Sequence, residues 1–265
     1  MSGLRNDLRL ALDRVAFARA AGLFNPDPWQ TAVLRSRRKQ KILNTSRQIG
    51  KSTVISGLCL HKALYTPESN TYVFAPTEKQ AKETFAKIAR FYRAYVERDP
   101  TDALRSAVSY EKDPIRNVNK MGLKLPNGSK ISAMPGTDAS SRGFTADLLI
   151  IDEAAFARNA FYDAIRPSLA VSNGDVILAS TPNGKRGFFY GEWSEGDDWE
   201  RFEVPANLCP RITDAFLRAE LKRMGERHYL QEYFCQFAQA EDSVFQTEVI
   251  ADAFGDEDVL PLWDD

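Results

Sequence analysis

The stretch Lys41-Ile-Leu-Asn-Thr-Ser-Arg-Gln-Ile-Gly-Lys-Ser-Thr53 constrains this chain more than any other. A short apolar run passes into a tight polar turn, and Gly50-Lys51-Ser52 then opens a helix-patterned stretch that reaches Tyr65. Backbone N–H groups of such a turn converge on one spot, and the helix N-terminus adds positive potential there, so the turn is a cradle for anions. Ser46, Arg47, Gln48, Ile49, Gly50, Lys51, Ser52 and Thr53 are the expected nucleotide-binding loop. Lys51 is expected to bridge the β- and γ-phosphates, and the Ser52 hydroxyl to ligate Mg2+. The strict pattern G-x-x-x-x-G-K-[ST] fails at its first position, where Thr45 stands. A Gly-Lys-Ser tripeptide alone also opens many ordinary helices, so the flanking elements carry the reading.

A partner lies about a hundred residues downstream in Leu148-Leu-Ile-Ile-Asp-Glu-Ala154. Four apolar residues read as a buried strand, with two carboxylates at its C-terminal end, where parallel α/β sheets place ligands. Asp152 is expected in the Mg2+ shell. Glu153 is expected to accept a proton from, or to orient, the water that attacks the γ-phosphorus. The competing reading is that Asp-Glu caps the following helix. Phosphate loop and acidic strand end together favour nucleotide hydrolysis.

The remaining pattern supplies a scaffold for these two segments. Apolar spacing from Leu4 to Phe17 predicts an amphipathic helix ended by Gly22 and Asn25-Pro26-Asp27-Pro28, and a short helix starts near Trp29. β-rich runs occur at Lys41–Thr45, Thr71–Ala75, Leu148–Asp152 and Val176–Ser180, with a fifth at Arg201–Val204. Helix-patterned stretches at Lys51–Tyr65 and Thr77–Glu97, and a shorter one after Glu153, lie between them. Such alternation implies a parallel sheet covered on both faces. Gly122–Met134 departs from it and reads as a β-hairpin around an Asn-Gly turn, an inserted excursion before the third core strand. Thr213–Phe237 reads as two helices separated by Gly225.

Composition narrows the class without naming it. An apolar content of 43% with 27% charged residues is ordinary for a globular chain and excludes disorder. No apolar run approaches the roughly 18 residues of a membrane-spanning helix, and Met1–Leu12 lacks the apolar centre of a secretion signal. Three widely spaced cysteines and two histidines disfavour a disulfide framework or a structural zinc site and fit a reducing cytoplasm. The 35 Lys+Arg and 36 Asp+Glu are unevenly placed, with a basic half up to Lys130 and an acidic half after it. A basic half suits polyanions such as nucleic acid, whereas a mixed solvated surface with an acidic tail explains the same counts.

These segments resemble the ATPase domain of the large terminase subunit, the motor that packages DNA into tailed-bacteriophage capsids. Ser46-Arg47-Gln48-Ile49-Gly50-Lys51-Ser52 is similar to that family's deviant phosphate loop, so the missing first glycine belongs to the resemblance. Asp27-Pro28-Trp29-Gln30 resembles its adenine-reading element, Ala75-Pro76-Thr77-Glu78-Lys79-Gln80-Ala81 a segment after the second strand, and Leu178-Ala-Ser180-Thr181-Pro182-Asn183-Gly184 its coupling motif. Tyr233–Phe237 and Ser243-Val-Phe245 resemble the end of the ATPase region.

The resemblance implies a P-loop NTPase fold of the ASCE/RecA-like kind, α/β with a mainly parallel central sheet flanked by helices, plus the hairpin insertion and a small C-terminal helical subdomain. Residues 1–210 are then the ATPase core, 211–245 a helical linker or lid, and 246–265 an acidic tail leading toward an absent nuclease domain. It implies ATP and Mg2+ as cofactors. Gln30 reads adenine, its alternative being a polar residue at a helix start. Ser180 and Thr181 relay phosphate loss, or simply form the turn before Pro182. Arg142, in Ser140-Ser141-Arg142-Gly143, is implied to enter a neighbouring subunit's site as an arginine finger, and otherwise contacts DNA phosphate or a surface acid. Arg47 is its rival, able to act in cis on the γ-phosphate or merely to brace the loop through a carboxylate; Arg142 is favoured for the finger and Arg47 for sensing. The basic run Arg35–Lys41 suits DNA, an adjacent subunit or a solvated face.

The implied partners are double-stranded DNA, the portal and small terminase subunit of a phage, and further copies of the chain in a ring on the procapsid. The isolated chain is expected to be monomeric, without membrane association, in the host cytoplasm and transiently docked on the procapsid. Nuclease activity is not expected, the sequence reading as an isolated ATPase domain. Two other classes use a similar pocket: a helicase-like nucleic-acid-stimulated ATPase, which needs a second motor domain, and a nucleotide-gated binding module without turnover.

Overall fold

Apolar runs of five and six residues, each bounded by turns, become the central strands of one sheet. The structure is a computed structural model and describes residues 2–20, 22–98, 122–137 and 143–239. The strands are β1 (Gln40–Thr45), β2 (Asn70–Ala75), β3 (Gly122–Lys124), β4 (Lys130–Pro135), β5 (Leu148–Asp152), β6 (Asp175–Ser180) and β7 (Glu200–Val204). The helices are α1 (Ser2–Leu12), α2 (Arg14–Ala20), α3 (Pro28–Arg35), α4 (Lys51–Tyr65), α5 (Glu78–Arg98), α6 (Asn159–Ile165), α7 (Gly187–Ser194), α8 (Asp214–Met224) and α9 (Glu226–Phe234).

The strand order is β3-β4-β2-β5-β6-β1-β7, parallel throughout except for the β3–β4 pair. This is the mainly parallel, helix-flanked α/β sheet expected of a P-loop NTPase. Every residue of β5 is buried, because helices cover both faces of the sheet. Alternation along the strands sorts the core in two. Leu43, Val73, Ile150 and Ile177 pack beneath α2–α5, whereas Ile42, Phe74, Leu149, Ile151 and Leu178 pack with Phe161, Tyr162 and Phe189 of α6 and α7. Among the described residues no helix is long and apolar enough to cross a membrane.

Two expectations change. The helix expected over Leu4–Phe17 is two helices, because Asp13 interrupts it and caps the second, its Oδ1 accepting from the backbone N–H of Val15 at 2.9 Å and of Ala16 at 3.1 Å. The hairpin of Gly122–Met134 forms, yet it is no excursion from the sheet. β4 pairs in parallel with β2 from Asn70↔Lys130 to Ala75↔Pro135, so the hairpin extends the sheet at its edge. Its Asn-Gly turn is tied down by Asn127, whose Nδ2 donates to the Ala63 carbonyl at 2.8 Å.

At the C-terminal end, α8 and α9 form a small cluster of their own through Leu217 and Tyr233, together with Ala206. The chain then leaves the helix at Cys235, at φ 60°. It returns to the sheet, where Asn44 Nδ2 donates to the Cys235 carbonyl at 2.8 Å and Phe237 packs against Phe189, Tyr190 and Trp193.

Candidate active site

The site lies at the carboxyl edge of the sheet, where β1 delivers the phosphate loop, β5 delivers Asp152 and Glu153, and β6, running between them, ends in Ser180. Two features shape the loop. Gln48 at φ 57° and Gly50 at φ 96° are both left-handed, which turns the chain sharply enough for α4 to start at Lys51. A Cβ at position 50 would stand 2.8 Å from Gln30 Nε2, the end of a side chain that can swing aside, so it is the left-handed backbone that requires glycine there.

Lys51 and the two carboxylates converge. Lys51 Nζ lies 3.2 Å from Asp152 Oδ1 and 2.7 Å from Glu153 Oε1. These are ion pairs; neither is aligned as a hydrogen bond, which leaves the buried ammonium with bonding capacity. Burial pushes its pKa down, but Asp152 and then Glu153 outweigh this and leave it above the ordinary lysine value. Asp152 Oδ2 accepts from Ser52 Oγ at 3.4 Å and from Thr84 Oγ1 at 3.3 Å. Glu153 sits at φ 55°, a strained conformation for a non-glycine residue. Ser180 Oγ donates to Glu153 Oε2 at 3.4 Å.

A cavity of about 540 Å³ opens beside these groups, lined by Ser46, Arg47, Gln48, Gly50, Lys51, Ser52, Gln80, Lys87, Glu153, Phe156 and Thr181. An anion cradle, a buried unsatisfied ammonium and a hydroxyl beside a carboxylate fit a triphosphate with Mg2+, whose remaining ligands are ordinarily water and phosphate. Among the described residues there is no group of three or more His, Cys, Asp or Glu side chains that could hold a metal ion.

The other expected residues are placed as follows. Gln30 is buried, with Oε1 accepting from the Asp27 N–H at 2.9 Å and Nε2 donating to the Gly50 carbonyl at 3.4 Å, so its amide is engaged with backbone. The Ile49 side chain belongs to the core, and Thr53 lies within the first turn of α4. Arg47 forms an ion pair with Glu232 of α9, its Nη2 donating at 3.3 Å, while its backbone N–H donates to the Glu232 carbonyl at 3.1 Å. Arg142 and residues 240–265, with the Ser243–Phe245 segment and the acidic tail, lie outside the described residues. In the basic run, Arg37, Lys39 and Lys41 donate to the carbonyls of Leu12, Asn173 and Arg38; Lys41 is buried, whereas Arg35, Arg37, Arg38 and Lys39 are exposed.

A model of the family described as terminase large subunit, T4likevirus-type, N-terminal, matches residues 42–252. The chain belongs to the terminase large-subunit family. This terminase chain is 27% identical over 249 residues to the large terminase subunit of Thermus phage G20c, an alignment covering 84% of this chain and 50% of that one. It thus spans about half the length of the curated relatives it matches. Its fold is similar to the large terminase ATPase domain of Thermus phage P74-26, with TM-score 0.68 and 25% identity over 84% of this chain and 97% of that one. The large terminase of a thermophilic bacteriophage, in complex with ADP, shares the fold at TM-score 0.63 and 14% identity, over 80% of this chain and 54% of that one.

Several residues around the candidate site escaped the sequence reading. Thr84, Lys87, Glu232 and Arg211 reach the site from helices or loops distant in sequence. Arg211 grips Asp27 through two bonds of 3.0 and 2.7 Å and donates to the Ile49 carbonyl at 3.1 Å, bracing the phosphate loop against the segment before α3. Only Thr84 and Lys87 left a signal, since with Gln80 they fall on one face of an otherwise ordinary amphipathic helix.

Proposed function

We propose that this chain hydrolyses ATP in a Mg2+-dependent reaction, as the motor domain of a phage terminase that drives double-stranded DNA into a procapsid. The observation that carries the reading is the Lys51 ammonium, buried against Asp152 and Glu153 in the lining of the phosphate-loop cavity. The likeness to the P74-26 ATPase domain supports it.

The loop amides and Lys51 bind the triphosphate, while Ser52 and Asp152 hold Mg2+. When bound, Mg2+ neutralises charge on the β- and γ-phosphate oxygens. Glu153 accepts the proton of the attacking water as the γ-phosphoryl group passes to that water and ADP leaves. Ser180 steadies Glu153 from the tip of β6, and Thr181 lines the same cavity, so loss of phosphate is felt where β6 continues into the next loop. Arg47 senses the γ-phosphate in cis by exchanging Glu232 for it. Arg142 acts in trans as the finger, Gln30 serves the adenine end after releasing its backbone bonds, and α8–α9 act as a lid.

In this role the chain works in a ring of identical subunits against the portal, with the small terminase subunit, in the host cytoplasm. The test is ATPase rate against protein concentration, with and without double-stranded DNA. The expected result is a rate per chain that rises with concentration and again with DNA. A folded chain that takes up no nucleotide in calorimetry would remove the reading altogether.

A further inference from the structure

α5 runs away from the phosphate loop, yet three of its polar side chains return toward it. Gln80, Thr84 and Lys87 are spaced by four and then three residues, which places them on one helix face. Thr84 fixes that face by donating to Asp152 at 3.3 Å, and Gln80 and Lys87 line the cavity on either side of it in sequence. Long helical side chains lean toward the N-terminus of their own helix, so the four-carbon stem of Lys87 leans back toward the site.

The other cations around the cavity each already lie against a carboxylate. Lys51 is paired with Asp152 and Glu153, Arg47 with Glu232, and Arg211 with Asp27. Among the described residues Lys87 has no hydrogen-bond or ion-pair partner, although it is half-buried and within the field of Asp152. A half-buried ammonium beside an anion-binding cavity gains most from an anionic ligand. A transferring phosphoryl group spreads its charge over three equatorial oxygens. Lys51 and Mg2+ do not exhaust these.

We propose that Lys87 is a γ-phosphate ligand, reaching the terminal phosphoryl oxygens from the α5 wall of the cavity and giving the site its preference for triphosphate over diphosphate. The proposal rests on the nucleotide reading above and deepens it. Because ADP lacks the γ-phosphate, Lys87 contributes to binding of the triphosphate and not of the diphosphate.

The experiment is calorimetric titration of the folded chain with ATPγS and with ADP, each with Mg2+, for the wild type, Lys87→Met and Lys87→Arg. Methionine keeps the packing of the stem and removes the charge; unfolding midpoints are compared first, and Lys87→Gln replaces it if the methionine variant fails to fold. Loss of one charge-assisted contact weakens ATPγS by about tenfold or more and ADP by less than about twofold, with arginine recovering most of the loss. Unchanged ATPγS affinity in Lys87→Met, or equal weakening for both nucleotides, would overturn the assignment while persistent ADP binding leaves the nucleotide site standing. Absence of binding by the folded wild type would overturn both.

Discussion

Glu153 Oε1 lies 2.7 Å from Lys51 Nζ, so the carboxylate that activates water in the proposed reaction is held by the ammonium that grips phosphate. In that proposed reaction, engagement of a triphosphate by Lys51 would free Glu153 when its basicity is needed. Glu153→Gln keeps the shape and removes the base. It is expected to bind ATPγS with affinity close to wild type while single-turnover hydrolysis falls by roughly 10²–10⁴-fold. Hydrolysis within a factor of a few of wild type would move the general base elsewhere.

Gly50 is fixed by its φ of 96°, and a Cβ there would also push the Gln30 amide aside. Gly50→Ala strains the backbone and displaces the Gln30 amide, at a cost of about 1–3 kcal/mol. Chemical denaturation is expected to show this loss, and nucleotide titration a larger defect than the stability change explains.

Arg47 is largely exposed and Glu232 mostly covered, with side-chain exposures of 60% and 14%, so their pair adds less than about 1 kcal/mol to stability. Its value lies in where it holds Arg47. Glu232→Ala is expected to leave the unfolding midpoint nearly unchanged and to tighten ATPγS by up to about fivefold, since Arg47 then exchanges no partner to reach phosphate. The gain should vanish in an Arg47→Ala background, a double-mutant cycle that separates Arg47 from a general charge effect.

His61 reports on the seating of the N-terminal helices. Its Nε2 is 3.1 Å from the Leu10 carbonyl, its ring packs against Phe17 and Tyr65, and burial, aided by the charge of Arg14, pulls its pKa from 6.5 down to about 4. The folded state thus binds its proton later than the unfolded chain. Its contribution is present above pH 6.5 and is lost as the pH falls toward 4, a share of roughly 3 kcal/mol. His61→Gln removes that slope, so the stability gap between wild type and variant is expected to shrink between pH 7 and pH 4.5. Parallel curves would show that His61 does not titrate in this window.

The sequence by itself determined the local pieces of this protein. The apolar run into Gly50-Lys51-Ser52, the acidic end of Leu148–Asp152 and the strand–helix alternation are written in residue types and short periods, and each forms where its pattern predicts. Even there one polar residue mattered, since Asp13 divides a helix whose apolar spacing runs through it unbroken. Tertiary structure alone decided which pieces meet. Nothing in the spacing of Lys51 and Asp152 states that β6 runs between their strands, that β4 joins β2, that Lys87 lines the cavity, or that Thr84, Arg211 and Glu232 hold Asp152, the phosphate loop and Arg47. The physical reason is range. Periodicity reports which face of an element is apolar, whereas strand order and side-chain convergence depend on how those faces pack together, a property of the whole chain that no window of residues contains.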